Sequence, residues 1–186
     1  MPLSPPAPRE PIHTRRIECR GFRRADGLFD IEGHLTDVKS YAFRSTERGE
    51  VTPGTPVHEM WLRVTFDDRL TIHAVEAVTD YSPYRLCPDI TPNFQRLVGL
   101  AVGPGLRQKI RERVGGAAGC THLVELMGPI ATTAFQTIMP LKHKEELESD
   151  APRPTGRRPP LLDTCHAFAS DGPIVKRRWP DFYTGE

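Results

Sequence analysis

Between Leu28 and Thr36 the apolar residues Phe29, Ile31 and Leu35 share one parity with Gly33, while Asp30, Glu32 and His34 take the other. That period of two predicts a strand with one buried face. Upstream, Ile17, Cys19 and Phe22 give a broken alternation over residues 14–24, and Ala25-Asp26-Gly27 supplies a turn, which together make a first hairpin. A second hairpin follows a stretch, residues 44–56, that reads as loop by composition. In it Met60, Leu62, Val64 and Phe66 alternate with Trp61, Arg63 and Thr65, Asp67-Asp68 turns the chain, and Leu70, Ile72 and Ala74 lead back. Beyond a loop with Pro83, Pro88 and Pro92 the period changes. Residues 93–100 and 106–114 read as short helices, and Leu123, Leu126, Met127, Ile130, Ala131, Ala134, Phe135 and Ile138 define the apolar face of a long one, with Pro129 expected to kink it. Sheet first and helices second predicts an α+β class, an antiparallel sheet of two hairpins followed by a helical layer.

Composition places the boundaries. Of the 19 prolines in 186 residues, five precede Ile12 and six lie from Pro152 onward. Proline is poor in helices and central strands, so the packed domain is expected over residues 14–140, preceded by a proline-rich arm, 1–13. A charged and proline-rich linker is expected over 141–160, then a C-terminal tail, 161–186, packing back on the domain. The net charge of +1 removes the simplest electrostatic case for nucleic acid. No apolar run approaches the roughly 20 residues of a membrane span, and residues 1–15 lack a secretory core, so the expected setting is cytoplasmic.

Four cysteines, Cys19, Cys87, Cys120 and Cys165, lie far apart with no C-x-x-C pair, which argues against both disulfides and a zinc ribbon. Cys120 follows a glycine-bearing loop at the start of the long helix, where unpaired N–H groups and the helix dipole favour a thiolate. His122 and Glu125 lie just beyond, off the apolar face. His58 has the parity of Met60, Leu62, Val64 and Phe66 and therefore points to the buried side at the mouth of its strand, where a polar group needs a partner. His58 and Cys120 facing one another would bind a metal or activate a nucleophile. Asp30, Glu32 and His34, with Asp37 just past them, offer a hard-cation or acid–base face, although Arg15, Arg16, Arg20, Arg23 and Arg24 on the preceding strand are placed to pair with these acids. In the adjacent pair Cys165-His166 only one side chain can enter a site, and Gly103-Pro104-Gly105 lacks the ending of a phosphate loop.

The segments RRIECRGFRRADGLFDIEGHLTD, VHEMWLRVTFDD and GCTHLVELMGPIATTAFQTI resemble a bacterial family catalogued as domain of unknown function 2889, over most of residues 9–179. A more distant likeness links residues 56–138 to NifU/IscU-type iron–sulfur scaffolds, in the strand, Asp-Asp turn, strand and late Cys-x-x-Leu-x-Glu helix. In that family three cysteines and an aspartate hold zinc or an iron–sulfur cluster. The resemblance places the last cysteine on Cys120 and the aspartate on His58, and implies a NifU-like fold. It departs from the pattern at Pro56, where the first cysteine would fall, and near Ser82, where the second would, with Cys87 five residues on.

These observations point to a pocket of His58, Cys120 and His122, with Cys87, Cys165 and His166 as companions, binding zinc or iron. The same Cys120, His58 and His122 would be the catalytic groups of a metal-independent enzyme acting on a small organic molecule. A binding or assembly module without chemistry is the third expectation, with self-association open and no membrane partner.

Overall fold

The computed structural model describes residues 3–148, 156 and 158–186, without the side chains of 146 and 147. In chain order the strands are β1 (His13–Arg23), β2 (Phe29–Lys39), β3 (Phe43–Ser45), β4 (Gly49–Val51), β5 (Pro56–Phe66) and β6 (Ile72–Tyr81). The helices are α1 (Leu106–Val114), α2 (Thr121–Glu148) and α3 (Pro173–Arg178), with 3-10 segments at Cys87–Leu97 and Gly116–Ala118 among the connections. β1, β2, β5 and β6 form one antiparallel sheet in that order, and β3 pairs with β4 in a separate small ladder. The class is α+β, and both expected hairpins are present.

The first hairpin closes through Gly27 at φ 85°, and Asp26 accepts a hydrogen bond from the Leu28 N–H at 3.2 Å. β2 then alternates strictly: Phe29, Ile31, Leu35 and also Asp37 are buried on the inner face. β5 contributes Met60, Leu62, Val64 and Phe66 to the same face, each at most 1% exposed. β1 is an edge strand and almost wholly exposed, and its alternation is weak because little of its inner face is covered.

α2 lies across β1 and β2. Two glycines open the way: a Cβ on Gly33 would sit 2.8 Å from Ile130 Cδ1, and one on Gly21 would collide with the Thr137 side chain. Cys19 is half-buried against the core, and burial, only partly offset by a hydrogen bond with Thr133, pushes its thiol up. Leu123, Leu126, Met127, Ile130, Ala134 and Ile138 are the buried face of α2, as their spacing predicts.

Several expectations change. Residues 44–56 are not all loop, since 43–51 hold the β3–β4 hairpin. Ala74 is exposed and Val75 buried, because a bulge between Thr65 and Phe66 in the β5–β6 register shifts the inward parity of β6 by one residue. The segment expected as a helix at 93–100 is 3-10 and runs over Cys87–Leu97. α2 does not stop at Pro140 but continues to Glu148, with Lys142 reaching an Asp68 carboxylate oxygen at 2.9 Å in the β5–β6 turn.

Two compact units divide between Lys144 and Glu145. In the second, Leu162 and Val175 are buried, and Asp163, at φ 61°, accepts the Ser170 N–H at 2.8 Å. The central part of the expected linker, residues 149–155 and 157, lies outside the described residues. No helix among the described residues is long and apolar enough to cross a membrane.

Candidate metal centre

The inner face of the sheet is apolar until its last row, where Asp37 ends the buried series of β2 and His58 begins that of β5. These two residues are ladder partners. The register then shifts between Asp37 and Val38, so that Val57 is an extra residue of β5 beside His58. A bulge at this point re-aims the strand at the sheet end, as bulges near functional sites commonly do.

Asp37 is 1% exposed and fully committed. Its Oδ1 accepts from His13 Nε2 at 2.9 Å and Arg15 Nε at 2.8 Å, and its Oδ2 accepts from Arg15 Nη2 at 2.8 Å and His58 Nδ1 at 3.1 Å. A carboxylate has about four acceptor positions, so none is left over. Burial alone would raise the Asp37 pKa. The hydrogen bonds from Arg15 and His13 and the charges of Arg15 and His58 outweigh burial and hold the group well below the usual carboxylate range. An ionised Asp37 accepts only, which fixes the His58 proton on Nδ1 and leaves the Nε2 lone pair outward.

From the helical side, α2 brings three more groups. The Cys120 carbonyl accepts the Val124 N–H at 2.9 Å, which makes Cys120 the residue that starts α2. Its half-buried thiol points at Met60 Sδ, 3.9 Å away, and stands 3.9 Å from His122 Nδ1. The His122 ring packs on His58 with centroids 3.8 Å apart and planes tilted by 32°. Glu125 pairs with Arg15 at 2.7 Å, so one guanidinium joins Asp37 of the sheet to the first turns of α2.

Burial lowers the pKa of both His58 and His122. The mutual charge of His122 acts on His58 in the same direction against the pull of Asp37, and Arg15 does so on His122. Both imidazoles are therefore neutral at neutral pH, the form that ligates metals. Asp37, His58 and His122 each present a donor atom within 4.8 Å of the others, a grouping able to hold a metal ion.

The structure brings His122 against His58 and Asp37, and the Cys120 thiol to His122; neither Cys120 nor Cys87, which opens the 3-10 segment, is in the Asp37/His58/His122 group, and Cys165 and His166 belong to the second unit. The outer acids are occupied by neighbours: Thr65 Oγ1 donates to Asp30 at 2.7 Å, Arg63 Nε to Glu32 at 2.9 Å, and His34 meets Glu59 at 3.1 Å while stacking on Trp61. Of the arginines expected to pair with these acids, Arg15 meets Asp37, its register partner, and Arg24 meets Asp30 at 3.5 Å, whereas Arg20 pairs with Glu18 on its own strand.

Sequence reasoning placed Asp37 with the outer acids, yet its odd number puts it in the row of Phe29, Ile31 and Leu35. The signal was available in the parity. His13, expected in the arm, is the first residue of β1, and no pattern on one residue at a strand start reveals its reach to Asp37. Met60 reads as core from its parity and is core; its closeness to Cys120 depends on how α2 docks.

A family model described as protein of unknown function (DUF2889) matches residues 13–136. No curated protein matches the chain, and neither does any solved structure, so the likeness to NifU/IscU-type scaffolds gains no support from either comparison.

Proposed function

Since the chain belongs to the DUF2889 family, whose description names no activity, we propose from the geometry that it binds one transition metal ion through His58, His122 and Cys120. The observation that carries this reading is that the His58 and His122 donor atoms lie within 4.8 Å of each other and of an Asp37 oxygen, with the Cys120 thiol beside that group, 3.9 Å from His122 Nδ1. Ligands about 2.3 Å (sulfur) and about 2.0 Å (nitrogen) from one ion, at tetrahedral or trigonal angles, stand about 3.5–4.0 Å apart. Asp37 is the group behind the ligand: it orients His58 by its Nδ1–H, as outer carboxylates do for metal-binding histidines. Its own acceptor positions are filled, which supports an orienting role over direct ligation.

Nitrogen and sulfur donors suit the class of ions that includes zinc and iron. The test is elemental analysis of the purified full chain. About one equivalent of a transition metal, lost in both His58→Ala and Cys120→Ser, supports the reading; a metal-free wild type that takes up none on titration removes it.

One observation favours a second reading. Cys120 stands beside His122, its thiol 3.9 Å from Nδ1. A thiolate nucleophile paired with His122 and acting on a small organic molecule fits this pairing. Fast, pH-dependent alkylation of Cys120 by iodoacetamide in the metal-free protein, slowed in His122→Ala, supports it. Reaction at the rate of an ordinary cysteine counts against it.

A further inference from the structure

We propose that Met60 supplies a fourth ligand and that the ion this site selects is copper(I), an inference that rests on the metal reading above. Met60 is 1% exposed, two residues after His58 on the inner face of β5. Its thioether sulfur faces Cys120 Sγ at 3.9 Å, the same separation that Cys120 keeps from His122 Nδ1. Both spacings match those expected of neighbouring ligands around one ion. Met60 thus presents its sulfur, rather than its methyl group, to the Cys120 thiol, which donates to it.

The donor set chooses the ion: a thioether is a soft, uncharged donor, and together with thiolate it favours copper(I), whereas zinc sites are built from thiolate, imidazole and carboxylate.

The experiment uses the reduced full chain under anaerobic conditions, titrated with copper(I) against a chromophoric chelator and with zinc(II) in a parallel competition. In Met60→Leu, a near-isosteric change, copper(I) affinity is expected to fall by at least about tenfold and zinc(II) affinity to stay within about twofold. Unchanged copper(I) affinity in Met60→Leu overturns the proposal. As a measurement that needs no substitution, copper-edge X-ray absorption on selenomethionine-labelled protein should find a selenium neighbour at bonding distance, and its absence equally overturns the role of Met60. A wild type that binds neither ion refutes the site itself rather than the choice of ion.

Discussion

Asp37 and His58 face each other across the β2–β5 ladder, and the His58 Nδ1–H donates to Asp37 Oδ2 at 3.1 Å. That pairing joins the two halves of the candidate centre, because Asp37 is anchored by Arg15 and His13 of β1 while His58 carries the stacked His122 of α2. Asp37→Asn keeps the shape but removes the charge that four donors surround. Metal affinity is expected to fall by about 10–100-fold without vanishing, as for other outer-shell partners. Chemical denaturation of the metal-free protein should show a loss of about 2 kcal/mol, the scale of a hydrogen bond to a charged group. Metal binding abolished outright would instead make Asp37 a direct ligand.

The docking of α2 depends on glycines that its neighbours crowd. In Gly33→Ala the new methyl meets Ile130 and Leu126 side chains at 2.8–3.0 Å, and overpacking of this kind costs about 1–3 kcal/mol. Gly119→Ala is expected to cost more, since its Cβ would collide with the backbone carbonyl of Val114, which cannot rotate away. It should also displace Cys120. Thermal melts of the two variants test the ordering, and a Gly119→Ala protein as stable as Gly33→Ala contradicts it.

Asp67 predicts a pH dependence at the β5–β6 turn. Burial works against its ionised form, but the N–H groups of Thr71 and Arg69 and the His73 ring outweigh it and lower its pKa. A lowered folded-state pKa means stability that is present above the unfolded value of about 4 and lost as pH falls through the folded value. Asp67→Ala should therefore cost about 1 kcal/mol at neutral pH, with the gap to wild type closing below about pH 4. Urea denaturation across pH measures it; a gap independent of pH speaks against an ionised acceptor here.

Much of the fold is legible in residue patterns, for reasons these residues make plain. Strands β2 and β5 are central and have one wet face, so burial imposes a period of two that Phe29 to Leu35 and Met60 to Phe66 obey. β6 is legible only as far as its bulge, since an inserted residue reverses parity and nothing local to Ala74 and Val75 announces it. β1 is an edge whose inner face is barely covered, so burial imposes no clear period on it. In α2 the apolar face shows through, but its end does not: Pro140 suggests a stop, and the helix runs on because Pro140 is followed by residues with good helix propensity.

The candidate centre divides in the same way. His58 is visible as a polar residue on an apolar parity, and Cys120 as a thiol at a helix start. What joins them is long-range: Arg15 reaching Glu125 across 110 residues, and Cys120 meeting Met60 across 60, are set by how α2 crosses the sheet and leave no trace in local spacing.

The central claim is that His58, His122 and Cys120 hold one transition metal ion, and titration of the reduced full chain with cobalt(II) tests it most directly, because absorption reports both stoichiometry and sulfur ligation. The account predicts saturation at about one equivalent with a near-ultraviolet thiolate-to-cobalt band that disappears in Cys120→Ser, and binding that is lost in a His58→Ala/His122→Ala double variant. Absence of saturable binding, or an identical spectrum in Cys120→Ser, would contradict it.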